Sequence, residues 1–325
     1  MAISKFLFSL FRTLTMPLPL GMIVGVSLYF IFSGISVFEP VGESVGPLLV
    51  DTIPYVISVM LFITFCKINI SDMRPRTWHF ILQGIRVLLS GGFVIAIMLT
   101  DDANTKLLLE GMFICVICPT AAAAPVITER LGGSIESLTI YTLIANVVTS
   151  IIIPLSFPLV NPDTTITFAA AAAQIWGRVL FVLILPLCLA LLTRRFFPKV
   201  AASMKRIRNV PFYLWAFNLS VLCGLTACRI VHSPLNGWEL ALMILLPAVV
   251  TILLFSIGKA VGRHYGDSIS AGQALGQKNT TVGIWLTTEF LNPYAVIAPG
   301  AYIVWQNIVN SWQLWYKQKY GYLKW

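Results

Sequence analysis

Charge is scarce in this chain. Only 11% of its 325 residues are Asp, Glu, Lys or Arg, while 58% are hydrophobic. A soluble globular protein carries roughly a quarter charged residues, and no polar shell can be assembled from what is present. Acid is scarcer than base, with 13 Asp and Glu against 22 Lys and Arg and a formal net charge of +9. The basic excess does not imply nucleic acid, because the positive residues sit in loops between apolar runs rather than on one soluble face. Histidine is limited to His79, His232 and His264. They are dispersed near the ends of apolar runs, which argues against a metal centre. The six cysteines all lie in or beside apolar runs. Cys115 and Cys118 have a redox-like spacing but no neighbouring His or second Cys pair, so they read as small helix-packing residues. There is no P-loop, no G-x-S-x-G, no H-E-x-x-H and no paired-carboxylate arrangement. A nucleotide-driven pump is therefore unsupported, and no clustered nucleophile and base suggests an enzyme or implies a cofactor.

What the chain has instead is long, unbroken apolar sequence. A helix needs about 20 such residues to cross the hydrocarbon of a bilayer, and helical hydrogen bonding satisfies the backbone without water. Transmembrane β-strands would show alternating polarity over short segments, which these runs do not. The reading is an all-α integral membrane protein in one transmembrane domain covering residues 1–325. Ten spans are expected, near 17–38, 45–66, 79–99, 107–128, 135–160, 168–192, 211–231, 239–262, 269–289 and 294–316. The opening MAISKFLFSLFRTLTMPLPLGM lacks a small-x-small cleavage site and reads as an interfacial amphipathic segment. Gly21 and Gly25 are spaced for close helix packing. Trp78, Trp238, Trp305, Trp312 and Trp315 lie near expected span ends and read as interface anchors.

Loop charges orient the chain. Lys5 and Arg12 precede the first span, Lys67, Arg74 and Arg76 follow the second, and Lys317, Lys319 and Lys324 follow the tenth. The linker from Arg194 to Asn209 adds six more basic residues. With ten spans all of these fall on one side, which the positive-inside rule makes cytoplasmic. Glu39, Glu43, Asp101, Asp102 and Asp163 fall on the other. Both termini are expected in the cytoplasm, with the protein in the cell membrane (plasma or inner). The long linker divides the chain into repeats at about 14–160 and 165–318. Five spans each would make the second repeat run upside down relative to the first. Such inverted repeats are typical of secondary transporters, which bind substrate near the midplane at broken helices.

Two spans look broken, each the fourth of its half. One contains Pro119, Thr120 and Pro125. The other contains Gly272, Gly276, Gln277, Lys278, Asn279 and Thr280. Proline removes a backbone donor and clashes with the preceding turn, and glycine with a polar run weakens a helix similarly. Helix N-termini exposed at such breaks favour an anion.

At these residues the chain resembles the bile acid:sodium symporter family. That resemblance implies ten helices in two inverted five-helix repeats, with helices four and nine unwound and crossing. It also implies alternating-access symport of an organic anion, with one group of helices rocking against a core of spans three to five and eight to ten. The family stretch Cys-Pro-Gly-Gly-x-x-Ser-Asn-Val is matched by Cys118-Pro119-Thr120-Ala121-Ala122-Ala123-Ala124-Pro125-Val126. The stretch Glu-x-Gly-x-Gln-Asn-Ser/Thr is matched by Ala274-Leu275-Gly276-Gln277-Lys278-Asn279-Thr280. The resemblance implies sodium ligands at Asn279, Gln83 and Thr142. It also marks departures: Ala274 replaces a ligating glutamate, Ala124 and Pro125 replace a Ser-Asn pair, and Lys278 replaces a glutamine. Losing a carboxylate and gaining an ammonium argues against a sodium site.

Lys278 stands about ten residues into its span, roughly 15 Å at helical rise. An intramembrane charge costs about 2.5–3.5 kcal/mol and usually faces a cavity or a partner. Three roles are open to it: holding the crossing together, binding a substrate carboxylate, or titrating so as to couple transport to protons. The alternative is snorkelling to an interface. Arg86, one turn after Gln83, and Arg178, one turn after Gln174, are further candidates for attracting an anion. For both, the structural alternative is pairing with Glu110 or Asp51, or closeness to an interface. The expected substrate-binding set is Thr120, Gln277, Lys278, Asn279, Thr280 and Arg86, and the coupling set is Lys278, Asn279, Gln83 and Thr142. The expected function is secondary transport of a small organic anion, bile acid-like or another carboxylate, by alternating access and with sodium coupling disfavoured. The alternatives are a proton-linked or facilitative carrier, and a membrane sensor that retains the fold.

Overall fold

The computed structural model describes residues 17–67, 72–161, 173, 176–177, 180–207, 209–233 and 235–323. Lys5, Arg12, Asp163, Gln174, Arg178 and Lys324 lie outside them. The helices in chain order are α1 Pro17–Gly34, α2 Glu39–Phe65, α3 Thr77–Met98, α4 Ala103–Ile117, α5 Ala124–Leu131, α6 Ile135–Val160, α7 Leu185–Phe196, α8 Pro198–Arg206, α9 Val210–Val231, α10 Gly237–His264, α11 Ser268–Gly276, α12 Thr280–Phe290 and α13 Ile297–Tyr320. A π-helical turn, Leu180–Ile184, leads into α7, and a 3-10 turn, Pro293–Val296, leads into α13. No strand occurs among the described residues.

Local chemistry sets many of the boundaries. Asp102 accepts from the Thr105 amide to cap α4, and Ser134 accepts from the Ser137 amide to cap α6. Asn236 and Glu239 form a reciprocal capping box at the start of α10, so the first orphan N–H groups of that helix find side-chain acceptors. Gly132 ends α5 with φ 81°, a left-handed conformation that glycine adopts without steric cost.

Six helices are long and apolar enough to cross a membrane: α1, α2, α3, α6, α9 and α10. A seventh is reached if the pair Leu180–Phe196 and Pro198–Arg206, bent by 119°, is one span. The ten expected spans are thus not all found as long apolar rods, for identifiable reasons. The fourth and ninth are each cut in two. The sixth runs through residues outside those described, and α13 is rich in amide side chains. The expected linker at 194–209 is also partly helical, because α7 continues to Phe196 and Pro198 starts α8. Glu39 and Glu43 lie in the opening turns of α2 rather than in a loop.

The helices sort into two groups. Helices α1, α2, α7 and α9 pack chiefly on one another, while α3, α4, α6, α10, α11 and α13 form a second body. Close approach within the first group depends on glycine. A Cβ at Gly21 would lie 2.7 Å from the Ala216 carbonyl oxygen, and one at Gly25 would collide with the Ser220 carbonyl. Between the groups, Lys67 after α2 pairs with Glu129 of α5 at 3.0 Å. Arg130 of α5 donates to Asn209 at 2.6 Å and lies over the Phe212 ring of α9.

Candidate functional site at two interrupted helices

The chain leaves helical geometry at 118–123 and again at 277–279. Pro119 lies in the first break. Pro125 lies in the opening turn of α5, where its missing N–H has no helical acceptor to lose. Gly276 is the last residue of α11. Gly272 is not at the break: it sits inside α11, where a Cβ would strike the Lys259 side chain.

The two unwound segments meet. Asn279 N donates to Pro119 O at 2.8 Å and Ala121 N donates to Gln277 O at 3.1 Å, forming an antiparallel bridge between Thr120 and Lys278. Each segment thereby supplies hydrogen bonds that its own broken helix has lost, which a buried backbone requires. Side chains satisfy more of the freed groups. Thr120 Oγ1 donates to Ala274 O at 2.8 Å, and the Tyr302 hydroxyl donates to Gly276 O at 2.7 Å. Gln306 accepts from Lys278 N at 2.8 Å and donates to Lys278 O at 3.4 Å. Asn279 accepts from Val282 N at 3.4 Å and so caps α12, whose first residue is Thr280.

The C-terminal end of α4 points into this crossing. The last carbonyls of a helix lack intrahelical donors and carry partial negative charge. Here two cationic side chains meet them. Lys278 Nζ donates to Val116 O at 2.9 Å and to Cys118 O at 3.3 Å. Arg86 Nη1 donates to Ile117 O and Cys118 O, both at 3.2 Å, and to Thr149 Oγ1 at 2.8 Å. Arg86 Nη2 donates to Ala145 O at 3.0 Å, which ties α3 to α6. Lys278 is 2% exposed and Arg86 1%, so neither snorkels. They share one carbonyl oxygen, and neither forms an ion pair with an acidic residue among the described residues. Glu110 instead accepts from Asn292 N at 3.2 Å.

The remaining expected residues are placed as follows. Thr142 Oγ1 donates within its own helix, to Leu138 O at 2.8 Å. Gln83 is 4% exposed, and neither of its amide atoms has a partner among the described residues. Arg86 Nε and Gln277 Oε1 are likewise open. Trp78 is not an interface anchor. It is fully buried and stacked on Tyr141, beside His79. Cys115 and Cys118 are buried and free.

Sequence reasoning missed the contribution of α13. Gln306, Asn310 and Gln313 recur at a spacing of four and three residues, which places them on one helix face. Three buried amides on one side of a membrane helix were a readable signal. Tyr302 and Thr149 carried no such signal, since each is an ordinary helix residue until its distant partner is known.

Interrupted helices whose unwound segments meet are typical of the substrate sites of secondary transporters. The model of the sodium bile acid symporter family matches residues 54–233, more than half of the chain, and the protein belongs to that family. The matched segment includes the first break and ends before the second. No curated protein matches the chain.

Proposed function

We propose that this protein is a secondary transporter that moves a small organic anion across the cell membrane by alternating access, and that it does so without sodium. The observation that carries this reading is the pair of buried cations, Lys278 and Arg86, which share the Cys118 carbonyl without an acidic partner among the described residues. Two like charges in a low-dielectric interior repel one another and leave a net positive field where the breaks meet. An anion entering the crossing relieves that field. Helix N-termini at α5 and α12 add to it.

The donors at the crossing do not fit a sodium ion. Sodium takes oxygen ligands, preferably with some negative charge. The carbonyls of Val116 and Cys118 already accept from Lys278, and Ala124, Pro125 and Ala274 offer no side-chain oxygen. Lys278 and Arg86 stand as tethered cations in place of a mobile one. Thr120, Gln277, Asn279 and Thr280 line the same crossing and form the substrate side of the proposal, and Gln83 supplies an open amide one turn from Arg86.

The two helix groups support a rocking motion. The first body meets the second where α9 and α1 pack on α13, and through Lys67–Glu129 and Arg130–Asn209. In this reading the ten spans form two inverted repeats, about 14–160 and 165–318, with both termini and the basic loops in the cytoplasm.

Uptake of labelled organic anions into proteoliposomes, with sodium or with potassium as the sole cation, tests this. Equal rates in the two salts are expected. A rate that collapses without sodium would overturn the sodium-free mechanism. Absence of any anion uptake would overturn transport and favour a sensor that kept the fold. Acceleration by an inward proton gradient would identify the coupled ion as H⁺.

A further inference from the structure

Beside the crossing, on the side where Arg76 pairs with Asp267, lies a second polar feature that the charge argument does not use. Helix α13 presents a ladder of amides to α11 and the second break. Gln306 engages the Lys278 backbone, Asn310 lies opposite Gln277, and Gln313 lies opposite Gln273. The lowest two rungs are linked. Gln277 Nε2 donates to Gln273 Oε1, and Gln273 Nε2 donates to Gln313 Oε1 at 2.7 Å. The Asn310 Oδ1 atom is 3.5 Å from Gln277 Nε2. Gln273, Gln277, Asn310 and Gln313 are each no more than 1% exposed.

The rungs differ in one respect. Gln306 places both ends of its amide on backbone groups, which is a complete structural role. The other rungs are incomplete: Asn310 Nδ2, Gln313 Nε2 and Gln277 Oε1 have no partner among the described residues. A buried polar atom left unpaired costs on the order of 1–3 kcal/mol, and most buried polar groups are paired. Had this cluster served helix packing alone, apolar side chains at 310 and 313 would carry none of that cost. The open set contains two NH2 donors and one amide acceptor on hydrogen-bonded neighbours, and Gln277 adjoins Lys278 in the second break. Carboxamides with both functions recognise groups that both accept and donate, such as a hydroxyl or an amide.

We propose that Gln273, Gln277, Asn310 and Gln313 form a hydrogen-bonding subsite for the uncharged polar part of the cargo. The solute carried is then a compact carboxylate bearing hydroxyl or amide groups, and an apolar, steroid-like anion is excluded because it would leave these donors unpaired. This rests on the organic-anion reading above. The selectivity follows from a general asymmetry: a site built to hydrogen-bond a substrate hydroxyl strongly rejects the analogue that lacks it.

The test uses the purified full chain in lipid nanodiscs and matched anions that differ in hydroxylation: lactate and propionate, malate and succinate, gluconate and hexanoate, with 5β-cholanate, a steroid carboxylate without hydroxyl or amide groups, as the steroid-like case. Binding is read by calorimetry and by the shift in thermal unfolding. The expected result is that at least one hydroxylated member binds tenfold or more tightly than its unsubstituted twin, and that cholanate gives no shift. In Gln313→Met that preference falls toward unity while the weaker affinity of the unsubstituted twin is retained. Gln313→Asn, which keeps the amide but shortens it, guards against a misfolded Met variant and is expected to fall between the two. Equal affinity within every pair, or tight binding of cholanate, overturns the subsite while leaving the anion reading intact. Failure of every anion to bind removes both.

Discussion

Lys278 shows how one side chain can join two distant parts of a chain. Its ammonium reaches from the second break to Val116 and Cys118 at the end of α4, so a residue 162 positions away completes a helix terminus. Replacing it with methionine keeps the bulk and removes the donors. Cys118 O retains Arg86, but Val116 O loses its side-chain donor. The expected outcome for Lys278→Met is a loss of about 1–3 kcal/mol, the cost of orphaning a buried acceptor, read as a lower thermal midpoint in detergent, together with loss of anion uptake. Unchanged stability and uptake would show that the ammonium has no part in the crossing. Arg86 is less replaceable still. Its fork serves four acceptors on α4 and α6, and a lysine has neither the planar geometry nor enough donors in the same directions.

Among the helices, the clearest lever is the approach of α1 to α9. The expected close-packing pair Gly21 and Gly25 faces backbone carbonyls of α9, and Gly224 of α9 faces Gly25 in return. A methyl at Gly25 has no room, and the neighbour is a rigid carbonyl rather than a flexible side chain. Gly25→Ala is expected to destabilise by about 1–3 kcal/mol, the usual range for overpacking. Gly92→Ala, in α3 with nothing within 4 Å of the added methyl, is expected to be neutral or stabilising by about 0.5–1 kcal/mol through helix propensity. Thermal unfolding of the two variants side by side decides this, and a Gly25→Ala protein as stable as Gly92→Ala would mean the helices are not so closely apposed. The breaks belong to the same scale. Their approximate location was readable from Pro119, Pro125 and the polar run at 277–280. The role of Gly272 was not readable, because its lack of a side chain serves a contact with Lys259 rather than a break.

For the molecule as a whole, the proposed rocking motion has to act at the seam between the two helix groups. Lys67–Glu129 spans it, with side-chain exposures of 11% and 30%. Partly exposed pairs contribute little to stability, typically about 0–1 kcal/mol, so its effect is expected in the balance between states. Glu129→Lys places two cations together and is expected to open this side of the seam. The reversal Lys67→Glu with Glu129→Lys is expected to close it again. Distances between spin labels on the ends of α2 and α5 would report both. If the single reversal leaves the distance distribution as in the wild type, the pair is not a latch.

The order of residues alone settles the solvent and the helical class, because apolar content and run length are local properties and lipid admits few backbone solutions. It also marks where helices fail, since proline, glycine and polar runs act on their own turn. The span count is less local. It depended on whether 107–128 and 269–289 remained single rods, and each became two short helices. Folding in three dimensions decided which groups fill the vacated hydrogen bonds: Arg86 and Lys278 on the carbonyls of α4, Tyr302 and Gln306 on the second break, and the extended segments on one another. It also decided that Trp78 is buried against Tyr141 rather than anchored at an interface. The physical reason is that an orphaned carbonyl in a dry interior takes whatever donor the packing brings within about 3 Å, and no property of a residue's sequence neighbours says which distant donor that will be.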